Sequence, residues 1–359
     1  MRFTRIVSQG FRNLKMDQGV DTNARQVLLV GENGQGKTNF LEALYVLCYA
    51  SSFRTNNLKD ILSYGNNTVS ISAIFMDDDE EKRKIQFSLD KGKRTILLDG
   101  NPVRDRKQLI YNIPCIVFSH DDIDFIRGTP EARRKYFNQT MSMYDPLFFD
   151  DMRKYNRILK QRNAYLKSGE TELLGVYDQM LSDVGLILQE NRRQTVKDMN
   201  HLFTSLYQSV SGVSGVKIVY QPSWRGCKTR EDIQHYLEKN KERDIRLQIT
   251  NTGIHRDAFL VKTPHGSLSS IGSTGQQRLA SLVLRATQSK FFQEKTGREP
   301  VLLIDDVLLE LDGKKRNLFL DLLEGYSQAF FTFLPKEDYF GDGQHDEQLK
   351  LQVRDGELI

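Results

Sequence analysis

The fold of this chain is most tightly constrained by residues 27 to 41, VLLVGENGQGKTNFL, where an apolar run empties into a glycine-rich turn ending on Lys37-Thr38. Gly31, Gly36, Lys37 and Thr38 fill the four fixed positions of G-x-x-x-x-G-K-[ST]. With glycine at ~7% of residues, chance alone puts such a match in roughly one or two chains of this length per hundred. The context agrees: Val27 to Val30 reads as a buried strand, and Asn39-Phe-Leu-Glu-Ala-Leu begins a helical pattern. Gly31, Gly34 and Gly36 carry no Cβ, so the backbone can turn tightly and offer N–H groups, backed by a helix N-terminus, to a polyphosphate. In such a loop Lys37 reaches the β and γ phosphates and the Thr38 hydroxyl sits on Mg²⁺. The alternative is an accidental glycine turn before a helix.

A second segment narrows the chemistry. VLLIDDVLLELD at 301 to 312 is four apolar residues followed by two carboxylates, the pattern of a buried strand that delivers acids to its C-terminal edge. Asp305 is placed as a Mg²⁺ partner and Asp306 as the group that orients or deprotonates an attacking water. The competing reading has these aspartates capping the next helix. About 30 residues upstream, Ser273-Thr274-Gly275-Gln276-Gln277-Arg278 opens a helix that continues through Leu279, Leu282, Val283 and Ala286. Serine hydroxyl, glycine backbone and helix N-terminus together make a second candidate anion site, with a plain helix start as the alternative.

Composition excludes several classes. With 359 residues and 39% hydrophobic content the chain can bury one large or two ordinary cores. No apolar run approaches 18 residues and MRFTRIVSQGFRN lacks an apolar leader core, so no membrane association and a cytoplasmic location are expected. Cys48, Cys115 and Cys227 are odd in number and widely spaced, which argues for reduced, packed thiols. The net charge of +4 permits a nucleic-acid partner without requiring one.

After the P-loop helix, VSISAIF at 69 to 75, KIQFSL at 84 to 89 and RTILL at 94 to 98 read as a β-meander, with the acidic run 77 to 81 as a solvated hairpin tip rather than a metal site. From about Thr129 to Val210 the pattern changes to long amphipathic helices, an insertion. One is legible at 150 to 167, where Tyr155, Ile158, Leu159, Tyr165 and Leu166 form an apolar stripe. Arg153, Arg157 and Lys160 fall on an adjacent face, and residues 131 to 167 hold nine Lys/Arg against four Asp/Glu. That face reads equally as a solvated surface or as a contact for a phosphate backbone, hence for DNA. Beyond Gly212, VKIVYQ and IRLQIT both read as strands.

In order and spacing these segments resemble the ATP-binding cassette superfamily, in the branch of the structural-maintenance-of-chromosomes and RecF ATPases. The RecF family is the closest likeness, through FRNL at 11 to 14, GENGQGKTN at 31 to 39, SFRT at 52 to 55, FSHDDIDFIRGTPEARRKYF at 118 to 137, GIHRDAF at 253 to 259, STGQQR at 273 to 278 and LLIDDVLLELD at 302 to 312. The resemblance implies an α/β ABC/SMC-like ATPase head with an antiparallel β subdomain and an inserted helical lid. The expected division is 1–115 for the N-terminal half of the head, 116–245 for the lid and 246–359 for the C-terminal half.

The resemblance further implies a weak, switch-like ATPase of DNA recombination, replication and repair, including the SOS response. It would bind duplex DNA and double-strand/single-strand junctions as an ATP-dependent homodimer and act with RecR and RecO to load RecA. Carried over by position, Arg12 and Asn13 border the nucleotide, and Gly31, Glu32, Asn33, Gly34, Gln35, Gly36, Lys37, Thr38 and Asn39 form its cradle. Arg54 approaches it from beyond the first helix, and Thr38 and Asp305 take Mg²⁺. Ser273, Thr274, Gly275 and Gln276 act in trans as the signature, and Arg256 and Asp257 match a His-Arg-Asp turn near the dimer face. Glu310-Leu311-Asp312 matches the D-loop, although Leu309 stands where serine is common and His120 where proline is. A second carboxylate that is aspartate, not the glutamate of transporter cassettes, suits a slow switch. A transporter subunit is disfavoured by the basic helical insertion. A GTPase is disfavoured because Pro335-Lys336-Glu337-Asp338 lacks the first residue of [NT]KxD.

Overall fold

The computed structural model describes residues 1–335 and 348–359, and of Leu309 and Glu310 the backbone alone. The GTPase-like stretch at 336 to 338 therefore lies outside the described residues, as do the side chains at the start of the D-loop match. Contacts between Cα atoms divide the chain into two compact units, residues 1–121 with 288–359 and residues 122–287.

The first unit contains two six-stranded sheets. One is antiparallel throughout, in the order Met16–Asp21, Arg2–Gln9, Thr68–Met76, Lys82–Asp90, Lys93–Leu98, Asn101–Pro102. The three stretches read as a meander are its centre, paired in register over Thr68↔Asp90 to Met76↔Lys82 and Ile85↔Leu98 to Asp90↔Lys93. Val69, Ile71, Ala73 and Phe75 alternate inward, the period-two pattern of a sheet with one buried face.

The second sheet runs Glu357–Leu358, Gln348–Arg354, Gln26–Val30, Gln328–Phe333, Val301–Ile304, Cys115–Phe118. Its five longer strands are parallel, and Glu357–Leu358 turns back as a hairpin. Continuous apolar strands such as CIVF, VLLI and QAFFTF suit a parallel sheet covered on both faces, and every residue in these three is buried. Gln328, fully buried, joins the two sheets: its Oε1 accepts from Phe3 N at 2.8 Å and its Nε2 donates to the Thr22 carbonyl at 2.7 Å. The order matters for function because the P-loop strand and the acidic strand are separated by one neighbour. Their C-terminal ends thus lie on the same edge, about 10 Å apart at ordinary strand spacing.

The second unit is mainly helical. Pro130–Tyr144, Pro146–Ser168, Leu174–Ser211 and Arg230–Leu247 are its long helices. Several of their starts and stops have a local cause. Thr129 accepts from Ala132 N, Asp145 from Leu147 N and Phe148 N, and Gly169 and Gly212 end helices in the left-handed conformation. A three-stranded antiparallel sheet of Gly266–Ser267, Ala258–Thr263 and Lys217–Gln221 completes the unit. Because Lys217–Gln221 pairs with Ala258–Thr263, the sequence division at 245/246 falls inside this unit, and residues 246 to 287 group with the helices.

One expectation fails outright. IRLQIT at 245 to 250 is not a strand: Ile245 to Leu247 are the last turn of Arg230–Leu247, which ends on Gln248 at φ 56°. Alternation in I-R-L-Q-I imitates a strand, but the helix is fixed upstream by a reciprocal cap. Thr229 accepts from Asp232 N while Asp232 accepts from Thr229 N. The buried Asp244 then ties down its end, accepting from Asn251 N and from Arg162.

Candidate nucleotide-binding site

Gln26–Val30 leads through residues 31 to 36 into the helix Lys37–Tyr49. Gly34 and Gly36 sit at φ 80° and 118°, the left-handed region that a side chain disfavours. Gly31 is required for a different reason. A Cβ there would meet the Val353 carbonyl at 2.3 Å, so glycine lets the strand Gln348–Arg354 close against the loop.

The loop is held from the far side by the hairpin turn at Asp355-Gly356. Gly356 N donates to the Gln35 carbonyl at 2.9 Å, Asp355 N to Gln35 Oε1 at 2.6 Å, and Lys15 N to the Gly356 carbonyl at 2.8 Å. A Cβ on Gly356 would lie 1.8 Å from the Asn13 carbonyl, closer than any atom can approach.

Lys37 is 4% exposed and donates to the Gly31 and Glu32 carbonyls at 2.7 and 3.2 Å, which curls the loop around its ammonium group. One residue on, Thr38 Oγ1 donates to Asp305 Oδ1 at 2.8 Å, linking the P-loop helix to the end of the acidic strand. Burial pushes the Asp305 carboxyl up to about 6; the Thr38 bond pulls it down and the Asp306 carboxylate pushes it further up. Asp306 is held at φ 52° in the left-handed region, with its N–H donating to Thr332 Oγ1 and its Oδ1 bonded to the same hydroxyl, both at 2.8 Å. It stands at the start of the short turn Val307–Glu310 but makes no side-chain cap there, unlike the capping alternative.

Asn33, Gly34, Gly36, Lys37, Thr38, Asn39, Arg54 and Asp306 line one cavity of about 240 Å³. Arg12, Asn13, Leu14, Lys15, Gly34, Ser63, Tyr64 and Asp355 line an adjoining cavity of about 600 Å³. Arg12 and Asn13 thus border the second cavity, while Arg54 and Asn39 face the first. Glu32 is exposed, with its carbonyl turned to Lys37. Thr38 and Asp305, a hydroxyl and a carboxylate bonded to each other beside the loop, are hard oxygen ligands of the kind Mg²⁺ takes.

Sequence reasoning missed Glu42 and Thr332. Glu42 is fully buried yet accepts from Arg12 Nε and Nη2 at 2.5 and 2.9 Å, from Arg54 Nη1 at 3.3 Å and from Ser52 Oγ at 2.5 Å. The signal was present: a lone carboxylate in the otherwise apolar FLEALYVL has to find cations. Thr332 lay in QAFFTF, where nothing distinguishes it from a strand residue.

The predicted signature, DNA-contact and His-Arg-Asp positions lie in the second unit. Ser273, Thr274, Gly275 and Gln276 are all exposed at the start of the helix Thr274–Thr296, and a Cβ on Gly275 would meet nothing within 4 Å. Ser273 Oγ accepts from Gln276 N at 3.2 Å while Gln276 Oε1 accepts from Ser273 N at 2.9 Å, a reciprocal helix cap. Arg153, Arg157 and Lys160 are exposed on Pro146–Ser168, with Arg153 3.9 Å from Asp150. Arg162, counted in the same basic run, is fully buried between Asp178 and Asp244 at 2.7 and 2.8 Å, so it adds nothing to that surface. Arg256 is exposed, whereas Asp257 is buried and bonded to Arg192, Tyr220 and Ser223 N. Asp312, in the D-loop match, caps the helix Gly313–Leu322 through Lys315 N. Among the described residues no helix is long and apolar enough to cross a membrane, and all three cysteines are buried and free.

Comparison with known proteins fits this geometry. The family model for the RecF/RecN/SMC N terminal domain matches residues 2–349. The DNA replication and repair protein RecF of Treponema pallidum is 39% identical over 329 residues, 92% of this chain and 93% of the relative. That of Leptospira interrogans, serovar copenhageni, is 32% identical over 98% of both chains. A solved structure of the recombination mediator protein RecF with ATP, from the RecFOR pathway, superposes with a TM-score of 0.90 at 28% identity, over 100% of this chain and 97% of the other. An SMC head bound to the C-terminal winged-helix domain of ScpA shares the fold, with a TM-score of 0.58 at 14% identity. With a P-loop closed onto an acidic strand, a capped STGQQR helix and relatives matching along almost its whole length, the chain belongs to the RecF family.

Proposed function

We propose that the protein is an ATP-switched DNA-binding protein of recombinational repair, in which ATP joins two copies of the chain and slow hydrolysis releases them. The observation that carries the reading is the bond from Thr38 to Asp305, which brings the phosphate loop and the acidic strand to one cleft beside Arg54 and Asp306. The 240 Å³ cavity takes the triphosphate and the adjoining 600 Å³ cavity, with Arg12, Asn13 and Tyr64 at its wall, takes the nucleoside.

Lys37, already gathered under the loop, exchanges its carbonyl partners for the β and γ phosphates. Thr38 and Asp305 would hold Mg²⁺, which would supply positive charge against the phosphates. Asp306, steadied by Thr332, orients the attacking water and takes its proton; the short side chain suits slow turnover. Ser273 to Gln276 of a second copy close over the γ phosphate, each offering an exposed helix N-terminus. Arg153, Arg157 and Lys160 contact the DNA backbone, and the family likeness extends the reading to gapped or junction DNA, to RecR and RecO, and to RecA loading.

The trans site is tested by complementation. Ser273→Arg leaves ATP binding by the monomer intact but blocks dimerisation and hydrolysis. Lys37→Met weakens ATP binding in its own loop about 100-fold. Mixed together, they form one composite site with an intact loop and an intact signature, and ATPase activity returns. If mixed dimers form and remain inactive, or if Ser273→Arg hydrolyses ATP as a monomer, the clasp is wrong and STGQQR is a helix cap only.

A further inference from the structure

We propose that Glu42 is a positioning residue for ATP hydrolysis: its buried carboxylate fixes the Arg54 guanidinium at the phosphate cleft, with Arg12 as the second arm of the same fork. The proposal rests on reading that cleft as the ATP site.

Glu42 lies one helical turn beyond Thr38 and three residues beyond Asn39, so all three share one face of Lys37–Tyr49. It has no exposed surface and cannot touch a ligand itself. A buried carboxylate is tolerated when its lone pairs are satisfied, and here four donors reach it: Arg12 Nε and Nη2, Arg54 Nη1 and Ser52 Oγ. Two guanidinium groups against one carboxylate leave a single net positive charge, fixed in place at the mouth of the cleft. Arg54 is further steered by Asn39, whose Oδ1 accepts from Arg54 Nη1 at 2.7 Å. Asn39 Nδ2 in turn donates to Asn13 Oδ1 at 2.7 Å. Arg12 sits at φ 45°, a conformation disfavoured for any residue with a Cβ, and its own N–H donates to the Ile61 carbonyl at 2.8 Å.

Phosphoryl transfer depends almost entirely on positioned charge. An arginine already ordered by a buried partner loses no rotamer freedom when phosphate charge develops beside it. Without that partner Arg54 keeps only the neutral Asn39 side chain to hold its Nη1.

Glu42→Gln is isosteric, but its amide end points two donors at the arginine donors. Initial binding of a fluorescent ATP analogue to the wild-type protein tests the cleft; its absence overturns the site reading and this proposal together. With binding established, Glu42→Gln is expected to lower kcat for ATP hydrolysis about tenfold while the ATP dissociation constant stays within about threefold. Arg54→Ala is expected to lose a similar factor, and the double variant no more than Arg54→Ala alone, because Glu42 acts through Arg54. Losses that multiply in the double variant, or an unchanged kcat in Glu42→Gln, would show that Glu42 merely packs. Should Glu42→Gln fail to fold, Arg54→Lys gives the answer. In the wild type Arg54 Nη1 alone makes both the Asn39 and the Glu42 contacts and leaves the other guanidinium nitrogens for phosphate. The lysine keeps the charge but has one nitrogen for all three, and is expected to lose about tenfold in kcat at unchanged ATP affinity; wild-type turnover would overturn the proposal.

Discussion

The two units bury charge in opposite ways. In residues 1–121 with 288–359, Lys37, Asp306 and Arg54 line a cleft and each retains one side on which a ligand can act, with Asp305 bonded to Thr38 of the same lining. In residues 122–287 the charges close on one another. Arg162 sits between Asp178 and Asp244 with Thr250 as a further partner, and Arg192 joins Asp257, the Ile254 carbonyl and Asn138. Burial raises the Asp257 and Asp178 carboxyls, with the arginines holding them down. An open set of buried charges is a site, whereas a closed set is a scaffold that fixes where helices and turns meet.

The sharpest way to break this contrast is to open a closed set. Arg192→Leu strands Asp257 without a cation and should destabilise the helical unit by about 4 kcal/mol, read as a fall in its urea midpoint, while ATP affinity stays within about twofold. A tenfold loss of ATP binding would mean that the two kinds of charge are coupled.

A gentler probe of the same scaffold is His255, whose Nδ1 accepts from Tyr155 Oη and whose Nε2 donates to the Thr250 carbonyl, both at 2.9 Å. Burial lowers its pKa to about 4, with Arg256 and Arg134 reinforcing the shift and Asp244 and the Thr250 bond opposing it. Between pH 6.5 and 4 the unfolded chain takes up a proton that the folded chain refuses. The contribution is therefore complete above pH 6.5 and declines as pH falls, by roughly 3 kcal/mol across that window. In His255→Gln, unfolding free energy measured from pH 7 to 4 should be flatter by that amount; an identical pH profile would relocate the titrating group.

In the open set, Lys37→Met removes the ammonium that curls the loop. It should weaken ATP binding about 100-fold, or about 2.7 kcal/mol, with little change in the urea midpoint. Equal loss of stability would make Lys37 part of a scaffold after all. The smallest effect concerns neither set but the solvated face of Pro146–Ser168. Replacing Arg153, Arg157 and Lys160 together by alanine should weaken DNA binding about tenfold at moderate salt, with a shallower dependence of log K on log salt and unchanged melting. The same salt slope in wild type and variant would leave those residues without a DNA role.

The open set was legible because nucleotide chemistry fixes residue types at fixed spacing: G-x-x-x-x-G-K-T and two acids at a strand end are readable wherever they occur. The closed set was not. Arg162 looks like any other basic residue in its run, and its carboxylate partners come 16 and 82 residues later, a pairing that only the packed helices create. The same holds for Glu42, whose arginines precede it by 30 residues and follow it by 12. The meander was read from alternation, which tracks burial directly. IRLQIT shows the limit of that signal, since a helix end with Ile245 and Leu247 partly exposed produces the same alternation.

The place of the P-loop strand in its sheet also bears on how the protein is made. Gln26–Val30 is made long before its two neighbours in the sheet, Gln328–Phe333 and Gln348–Arg354. At ordinary elongation rates of about 5–20 residues per second, its first partner follows roughly 15–60 s later. Residues 122–287, whose internal pairs all lie within one continuous stretch, can settle on the nascent chain in the meantime. The phosphate loop waits for Val353 and Gly356 to close against it, so a chain stopped short of them leaves one edge of the apolar strand Gln26–Val30 unpaired.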